Sequence, residues 1–150
     1  MKLKLLTLDA YVFVSALKAG KEYSDECAAI LRKLPGRFIP AEPSIVYQEV
    51  CEALAGRVGM DVARKAERFL DSVLHPELLQ NGLHALPPVG LIAVDALYLK
   101  TALEAGTILV SLDGKDFVYR ARRNPPIEVC HGSRFPTNPN CSRASSTFAL

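Results

Sequence analysis

Four acidic residues occupy positions where a folded chain would ordinarily bury an apolar side chain or end a strand. Asp9 directly follows the apolar residues 5–8, and Asp113 follows the apolar run 107–112. Glu49 and Asp95 have apolar neighbours at helical spacing, which places each carboxylate on the core-facing side of a helix. Because a buried carboxylate without a partner is costly, one shared site explains these positions better than four separate accidents.

The elements that would position these acids alternate between strands and helices. We expect strands at 3–8, 37–41, 107–112 and 127–130, and helices that begin near residues 24, 44, 61 and 87, with a short one between Gly114 and Arg122. The segment 11–18 fits a strand or a helix, and 78–86 is ambiguous. The strands are apolar throughout, which predicts an α/β fold with a central parallel sheet flanked by helices.

The topology of such a fold would bring the four acids together. In open α/β sheets, the functional crevice lies beyond the carboxyl ends of the strands, where Asp9 and Asp113 are expected. Carboxylates that share one place repel each other and need protons or cations to persist. Oxygen ligands without His or Cys favour Mg²⁺ or Mn²⁺, and a pair of such ions suits phosphodiester cleavage.

The sequence resembles the PIN-domain nucleases from about residue 3 to about residue 131. The matching segments are residues 8–17 (LDAYVFVSAL), 44–50 (SIVYQEV), 95–99 (DALYL) followed by 102–106, and 109–117 (LVSLDGKDF). Each motif is short, and the order and spacing of the four acids carry the resemblance. It implies a three-layer, Rossmann-like PIN fold and an endoribonuclease that cuts RNA with Mg²⁺ or Mn²⁺.

The resemblance also implies roles for individual residues. Four acids match the catalytic and metal-binding positions: Asp9, Glu49, Asp95 and Asp113. Two further residues, Ser111 and Asp116, match supporting positions. Many such proteins are VapC-like toxins of toxin–antitoxin pairs, often homodimers that are restrained by a small antitoxin protein. The family often has a small polar residue two positions after the first Asp, where this chain has Tyr11.

Composition sets the broader expectations. The chain has 150 residues, 49% of them apolar, and a net charge of +2, which is too small to argue for nucleic acid by itself. We expect a nuclease domain over residues 1–131 and a flexible tail over 132–150, which is rich in Gly, Ser, Pro, Asn and Arg. Arg120, Arg122 and Arg123 form either a solvated helix end or a rim that contacts phosphates.

The sequence also predicts where the protein works. Its four cysteines form no C-x-x-C pair and show no zinc-ligand spacing with histidine, as expected of free thiols in a reducing cytosol. No apolar run is long enough to span a membrane, and the N-terminus shows no clear signal-peptide pattern. We therefore expect a cytoplasmic protein without a membrane partner.

Other interpretations stay open at this point. Asp9 and Asp113 could be ordinary turn residues, and Glu49 or Asp95 could pair with Lys100 or Arg57. A phosphatase with an aspartyl nucleophile usually needs a second acid at the position of Tyr11. A non-catalytic module of the same fold would bind RNA or a protein partner. Nucleotide binding lacks support, because no G-x-G-x-x-G or P-loop follows the first strand.

Overall fold

In a computed structural model of the chain, residues 3–18, 20, 22–80, 93–113, 128–132 and 135 are described. The strands are β1 (Lys4–Leu8), β2 (Phe38–Pro40), β3 (Glu42–Pro43), β4 (Leu79–Gln80), β5 (Ile108–Ser111) and β6 (Glu128–His131). The helices are α1 (Ala10–Leu17), α2 (Ser24–Leu31), α3 (Ile45–Arg57), α4 (Met60–Val73) and α5 (Ala93–Ala105), with a 3₁₀ turn at Pro76–Leu78.

A parallel sheet forms the centre of the molecule. Its strand order is β2-β1-β5-β6, and β3 pairs with β4 in a separate two-stranded sheet. Leu8 lies opposite Val110, so β1 and β5 are neighbours and end at the same edge. The fold class predicted from the sequence, α/β with a central parallel sheet flanked by helices, is confirmed.

The ambiguous segment after the first strand is a helix. α1 begins directly after Asp9 and buries Val12, Phe13 and Val14. Because this short helix is apolar on nearly every side, its sequence does not distinguish a strand from a helix by period. The tight transition from β1 to α1 leaves Asp9 at the carboxyl edge of the sheet, as the sequence predicted.

The helices predicted to begin near residues 44 and 61 begin within one residue of those positions, but Ser44 and Asp61 do not cap them through their side chains. α4 begins at Met60 after Gly59, whose φ is 128°, so Asp61 lies in the first turn and does not cap the helix. Ser44 occupies the position before α3, but its side chain makes no capping hydrogen bond. Gly provides the positive φ that a β-carbon disfavours, and this conformation moves the start of α4 one residue upstream.

Other predicted elements lie partly beyond the described residues. The helix predicted from residue 87 is described from Ala93, and the one predicted to end at Arg122 lies outside the described residues. The ambiguous segment 78–86 contributes β4, and its remainder is not described. Among the described helices, none has both the length and the apolar content that a membrane crossing requires.

Packing extends past the residue where the tail was predicted to begin. Gly132 is buried, and a β-carbon there would come within 3.0 Å of a Leu112 methyl group. The Phe135 ring packs edge-on against Phe38, with their centroids 5.2 Å apart. These two residues belong to the folded part of the chain, and the boundary at residue 131 stays a prediction.

Candidate functional site

Asp9 lies at the centre of the candidate site. Its side chain is 5% exposed, and its Oδ2 accepts a hydrogen bond of 2.9 Å from the Ser111 hydroxyl. The Asp9 backbone N–H donates to the Val110 carbonyl at 2.9 Å, so β5 holds both the main chain and the side chain. The Ser111 oxygen also accepts the Asp113 N–H at 3.1 Å. Ser111 therefore connects two of the predicted acids.

The surroundings of Asp9 disfavour its charged form. Burial, the largest cause, raises the pKa of Asp9 from 3.8 to about 7. The hydrogen bonds from Ser111 and from the Ala10 N–H oppose this rise, whereas repulsion from Asp95 and Glu49 adds to it. A carboxyl group with such a pKa releases its proton readily when a cation takes the proton's place.

Glu49 reaches the same region from α3. The Tyr98 hydroxyl of α5 donates a hydrogen bond of 2.5 Å to Glu49 Oε2. Burial raises the pKa of Glu49, and the hydrogen bond from Tyr98 lowers it in part. The half-buried Glu49 contrasts with Gln48 and Glu52, which are exposed as the helical spacing predicts.

Asp95 and Asp113, the other two acids predicted for the site, differ in how far they are exposed to solvent. Asp95 lies in the first turn of the described part of α5, is partly exposed, and is near enough to Asp9 to raise its pKa. Asp113 is exposed at the end of β5 and is tied to the site through its backbone contact with Ser111. The charges of Glu49 and Asp95 therefore both act on Asp9, and Asp113 lies exposed at the end of β5.

A fifth acid, Glu42, was missed by the sequence reasoning. Its side chain is fully buried, and its Oε1 accepts the Leu8 N–H at 2.7 Å. Burial raises the pKa of Glu42 well above its ordinary value of 4.5, and repulsion from Asp9 adds to the rise. Among the described residues, no donor or acceptor reaches its Oε2.

The signal for Glu42 was present in the sequence. It is an acid that follows an apolar strand, β2, as Asp9 follows β1. Tyr98 could also have been placed at the site, because it lies one turn after Asp95 on the same helix face. Burial, the largest cause, raises the pKa of the Tyr98 hydroxyl, and the negative charges of Glu42 and Glu49 add to the rise.

The structure does not favour the pairing of Glu49 with Lys100 or Arg57. Two ion pairs within the described part of the chain join Asp61 to Arg64 and Lys100 to Glu104. Lys100 thus extends toward Glu104, at 3.5 Å, and Arg57 is exposed at the end of α3. Glu49 instead has a neutral hydroxyl as its partner.

Carboxylate oxygens are the donors that a hard divalent cation prefers. Among the described residues, no three His, Cys, Asp or Glu side chains stand close enough together to enclose an ion. Mg²⁺ commonly binds one or two carboxylates and keeps several waters, so an enclosing cage is unnecessary. The raised pKa of Asp9 and its repulsion by two other carboxylates fit a site that gains from added positive charge.

Several predicted residues cannot be placed. Asp116, Arg120, Arg122 and Arg123 lie outside the described residues. Their expected roles in supporting the site and contacting the substrate stay predictions. Tyr11, at the position where the family often has a smaller residue, is 48% exposed at the start of α1.

Comparison with solved structures finds a similar fold. The match is to a chain in the crystal structure of VapBC2 from Rickettsia felis bound to a DNA fragment from their promoter. It has a TM-score of 0.54 and 16% sequence identity, and it covers 85% of this chain and 98% of the other. No protein-family model and no curated protein matches the sequence. At this identity, the comparison shows that the two chains share a fold.

Proposed function

We propose that the protein is a metal-dependent endoribonuclease. The observation that carries the proposal is the place of Asp9 beyond the carboxyl ends of two neighbouring parallel strands, bound by Ser111 and repelled by the charges of Glu49 and Asp95. The repulsion acting on Asp9 provides a reason to bind a divalent cation. Phosphodiester hydrolysis needs an activated water and a stabilised leaving oxygen, which Mg²⁺ or Mn²⁺ supplies when bound.

The chain's own residues would prepare the site for this chemistry. Ser111 orients the Asp9 carboxylate from β5, and Tyr98 orients the Glu49 carboxylate from α5. Asp113 is exposed at the end of β5, so it would bind the cation from the solvent side, where an RNA phosphate would enter. We assign the predicted substrate contacts to Arg120, Arg122 and Arg123, because they follow the last acidic motif in the sequence and positive side chains offset phosphate charge.

The biological role we propose is that of a toxin held by a small antitoxin. The resemblance of the four acidic motifs to VapC-like nucleases supports this role. The similarity in fold to a chain of VapBC2 bound to promoter DNA agrees with a paired protein. A homodimer is the assembly that this proposal predicts.

A non-catalytic module is the second candidate, and one observation favours it. The described acids do not form a ready-made three-ligand cluster. Such a module would keep the fold and bind RNA or a protein partner without cutting RNA.

One assay separates the two candidates. The purified protein is incubated with a mixed RNA pool and Mn²⁺, Mg²⁺ or EDTA, beside the variants Asp95→Asn and Asp61→Asn. Asp61 is a matched control, because it is an exposed acid in the first turn of α4, as Asp95 is an acid in the first turn of α5. We expect cleavage with either metal, none with EDTA, loss in Asp95→Asn and full activity in Asp61→Asn. Folded protein that cuts no RNA with either metal would favour the binding module.

A further inference from the structure

The buried carboxyl group of Glu42 substitutes for a missing strand partner. The last paired residues of β1 and β2 are Leu6 and Pro40, and the Ala41 N–H donates to the Leu6 carbonyl at 2.7 Å. In a continuing parallel ladder, a backbone carbonyl of the neighbouring strand would next accept the Leu8 N–H. The acceptor is instead Glu42 Oε1, at 2.7 Å.

The backbone carbonyl at the position that would continue the ladder accepts a side-chain hydroxyl instead of the Leu8 N–H. The Ala41 carbonyl accepts the Thr7 hydroxyl at 2.7 Å, and that hydroxyl also lies 2.6 Å from the Thr107 hydroxyl. The chain then turns away from β1 to form β3, which pairs with β4. Without Glu42, the Leu8 N–H would be buried without an acceptor, which is a costly arrangement.

This contact immediately precedes the central acid of the site. On one side of β1, the Leu8 N–H is held by Glu42, and on the other side the Asp9 N–H is held by the Val110 carbonyl. The two successive peptide groups that lead into Asp9 are therefore fixed from both flanking elements. No other side chain of the described residues binds the β1 backbone at this point.

We propose that Glu42 is a positioning residue, whose side-chain oxygen fixes the Leu8–Asp9 main chain so that the Asp9 carboxylate is held ready for the cation. The inference rests on the proposed function, because it gives Asp9 the role of a metal ligand. A partner that orients a ligand typically changes metal affinity by about 10–100-fold when it is lost.

The test uses two variants that differ in one property. Glu42→Gln keeps an acceptor oxygen of the same reach, whereas Glu42→Met keeps the length of the side chain and removes the acceptor. Glu42→Leu serves as a second apolar variant if the Met variant does not fold. A core variant in a different element, Leu70→Ala in α4, controls for a general loss of stability.

Two readouts are measured on each variant. Amide hydrogen exchange at Leu8 reports the contact itself, and calorimetric titration with Mn²⁺ reports its consequence. We expect Glu42→Met to speed Leu8 exchange and to weaken Mn²⁺ binding by about tenfold or more, and Glu42→Gln to stay within about threefold of the wild type. Leu70→Ala should bind Mn²⁺ as the wild type does.

The results distinguish a failure of this inference from a failure of the proposed function. Unchanged Leu8 exchange or unchanged Mn²⁺ affinity in Glu42→Met would overturn the role of Glu42. Equal losses in the Gln and Met variants would also overturn it, because the charge of the carboxyl group would then matter and not its acceptor oxygen. A wild-type protein that binds no Mn²⁺ would overturn the proposed function, while the Leu8 exchange rates would still decide whether Glu42 holds the main chain.

Discussion

At the scale of single residues, Asp9 is held in a position that favours its protonated form. The unfolded chain loses the Asp9 proton near its ordinary pKa of 3.8, whereas the folded chain keeps it up to about 7. Between these values the folded state binds more protons than the unfolded state. The contribution of Asp9 to the free energy of unfolding therefore falls as pH rises through this window.

Replacing Asp9 with Asn should remove this penalty. At pH 8 and without metal, we expect Asp9→Asn to raise the free energy of unfolding by roughly 1–3 kcal/mol, since each pKa unit corresponds to about 1.4 kcal/mol and Asn offers fewer acceptors to its partners. The gain should vanish below about pH 4, where Asp9 is protonated in both states. Urea denaturation of the wild type and the variant at both pH values measures this difference in the free energy of unfolding. A less stable variant at pH 8 would contradict the shared acidic cluster and favour a structural role for Asp9.

A second prediction concerns the hydrogen bond from Tyr98 to Glu49. Tyr98→Phe removes the donor that stabilises the Glu49 carboxylate, so the pKa of Glu49 should rise further. An NMR titration of the side-chain carboxyl carbon measures this pKa. Tyr47→Phe is the matched control. Tyr47 is close to Glu49 in the sequence, but its hydroxyl donates a hydrogen bond to Asp71 and not to Glu49. An unchanged Glu49 pKa in Tyr98→Phe would show that the two groups do not interact in solution.

At the scale of elements, the connection from α5 to β5 depends on one glycine. Gly106 has a φ of +65°, and the Thr107 N–H donates back to the Ala102 carbonyl at 3.0 Å. A β-carbon at Gly106 would meet no atom within 4 Å, so a substitution there is opposed by backbone conformation alone. This turn sets where β5 begins and thus where Ser111 meets Asp9.

Two glycine substitutions test this interpretation as a pair. Gly106→Ala should lower the free energy of unfolding by about 1 kcal/mol, the cost of a left-handed conformation for a residue with a β-carbon. Gly56→Ala, inside α3 and also without a close neighbour, should raise it by about 0.5–1 kcal/mol. Chemical denaturation of the two variants measures both changes. Equal effects of the same sign would mean that backbone conformation does not distinguish these positions.

The elements also show which parts of the molecule the sequence could predict. Apolar strands such as β1 and β5 were predicted within one residue of their ends, because a parallel sheet covered on both faces requires them to be apolar. The acids that end these strands were predicted by the same reasoning. The helical state of residues 10–17 was left open, since a segment that is apolar on all sides has no period that separates helix from strand.

Glu42 shows why contacts are harder to predict than elements. Its position after β2 was readable, but its partner is a main-chain group 34 residues earlier in the chain. Only the divergence of β2 from β1 leaves the Leu8 N–H in need of an acceptor. That divergence depends on the pairing of β3 with β4, which is a tertiary feature without a local signal.

At the scale of the whole molecule, the proposed metal site would couple the stability of the fold to the metal concentration. A cation that binds only the folded state stabilises it by mass action, so Mn²⁺ at about 100 times its dissociation constant should add about 2.7 kcal/mol to the free energy of unfolding. EDTA should reverse the effect, and Asp95→Asn should reduce it. Thermal melts across a Mn²⁺ series measure this. Melting temperatures that do not depend on Mn²⁺ would show that the folded protein does not bind the ion at the concentrations in the series.

In the proposed site, a divalent cation takes the place of the proton on Asp9. Calorimetric titration with Mn²⁺ at pH 6, repeated in buffers of different ionisation enthalpy, measures the protons released on binding. Because the pKa of Asp9 is about 7, the wild type should release about one proton at pH 6 and almost none at pH 8.5. Asp9→Asn should release none at either pH. Binding of Mn²⁺ at pH 6 without proton release, or no binding at all, would contradict a metal site built on this residue.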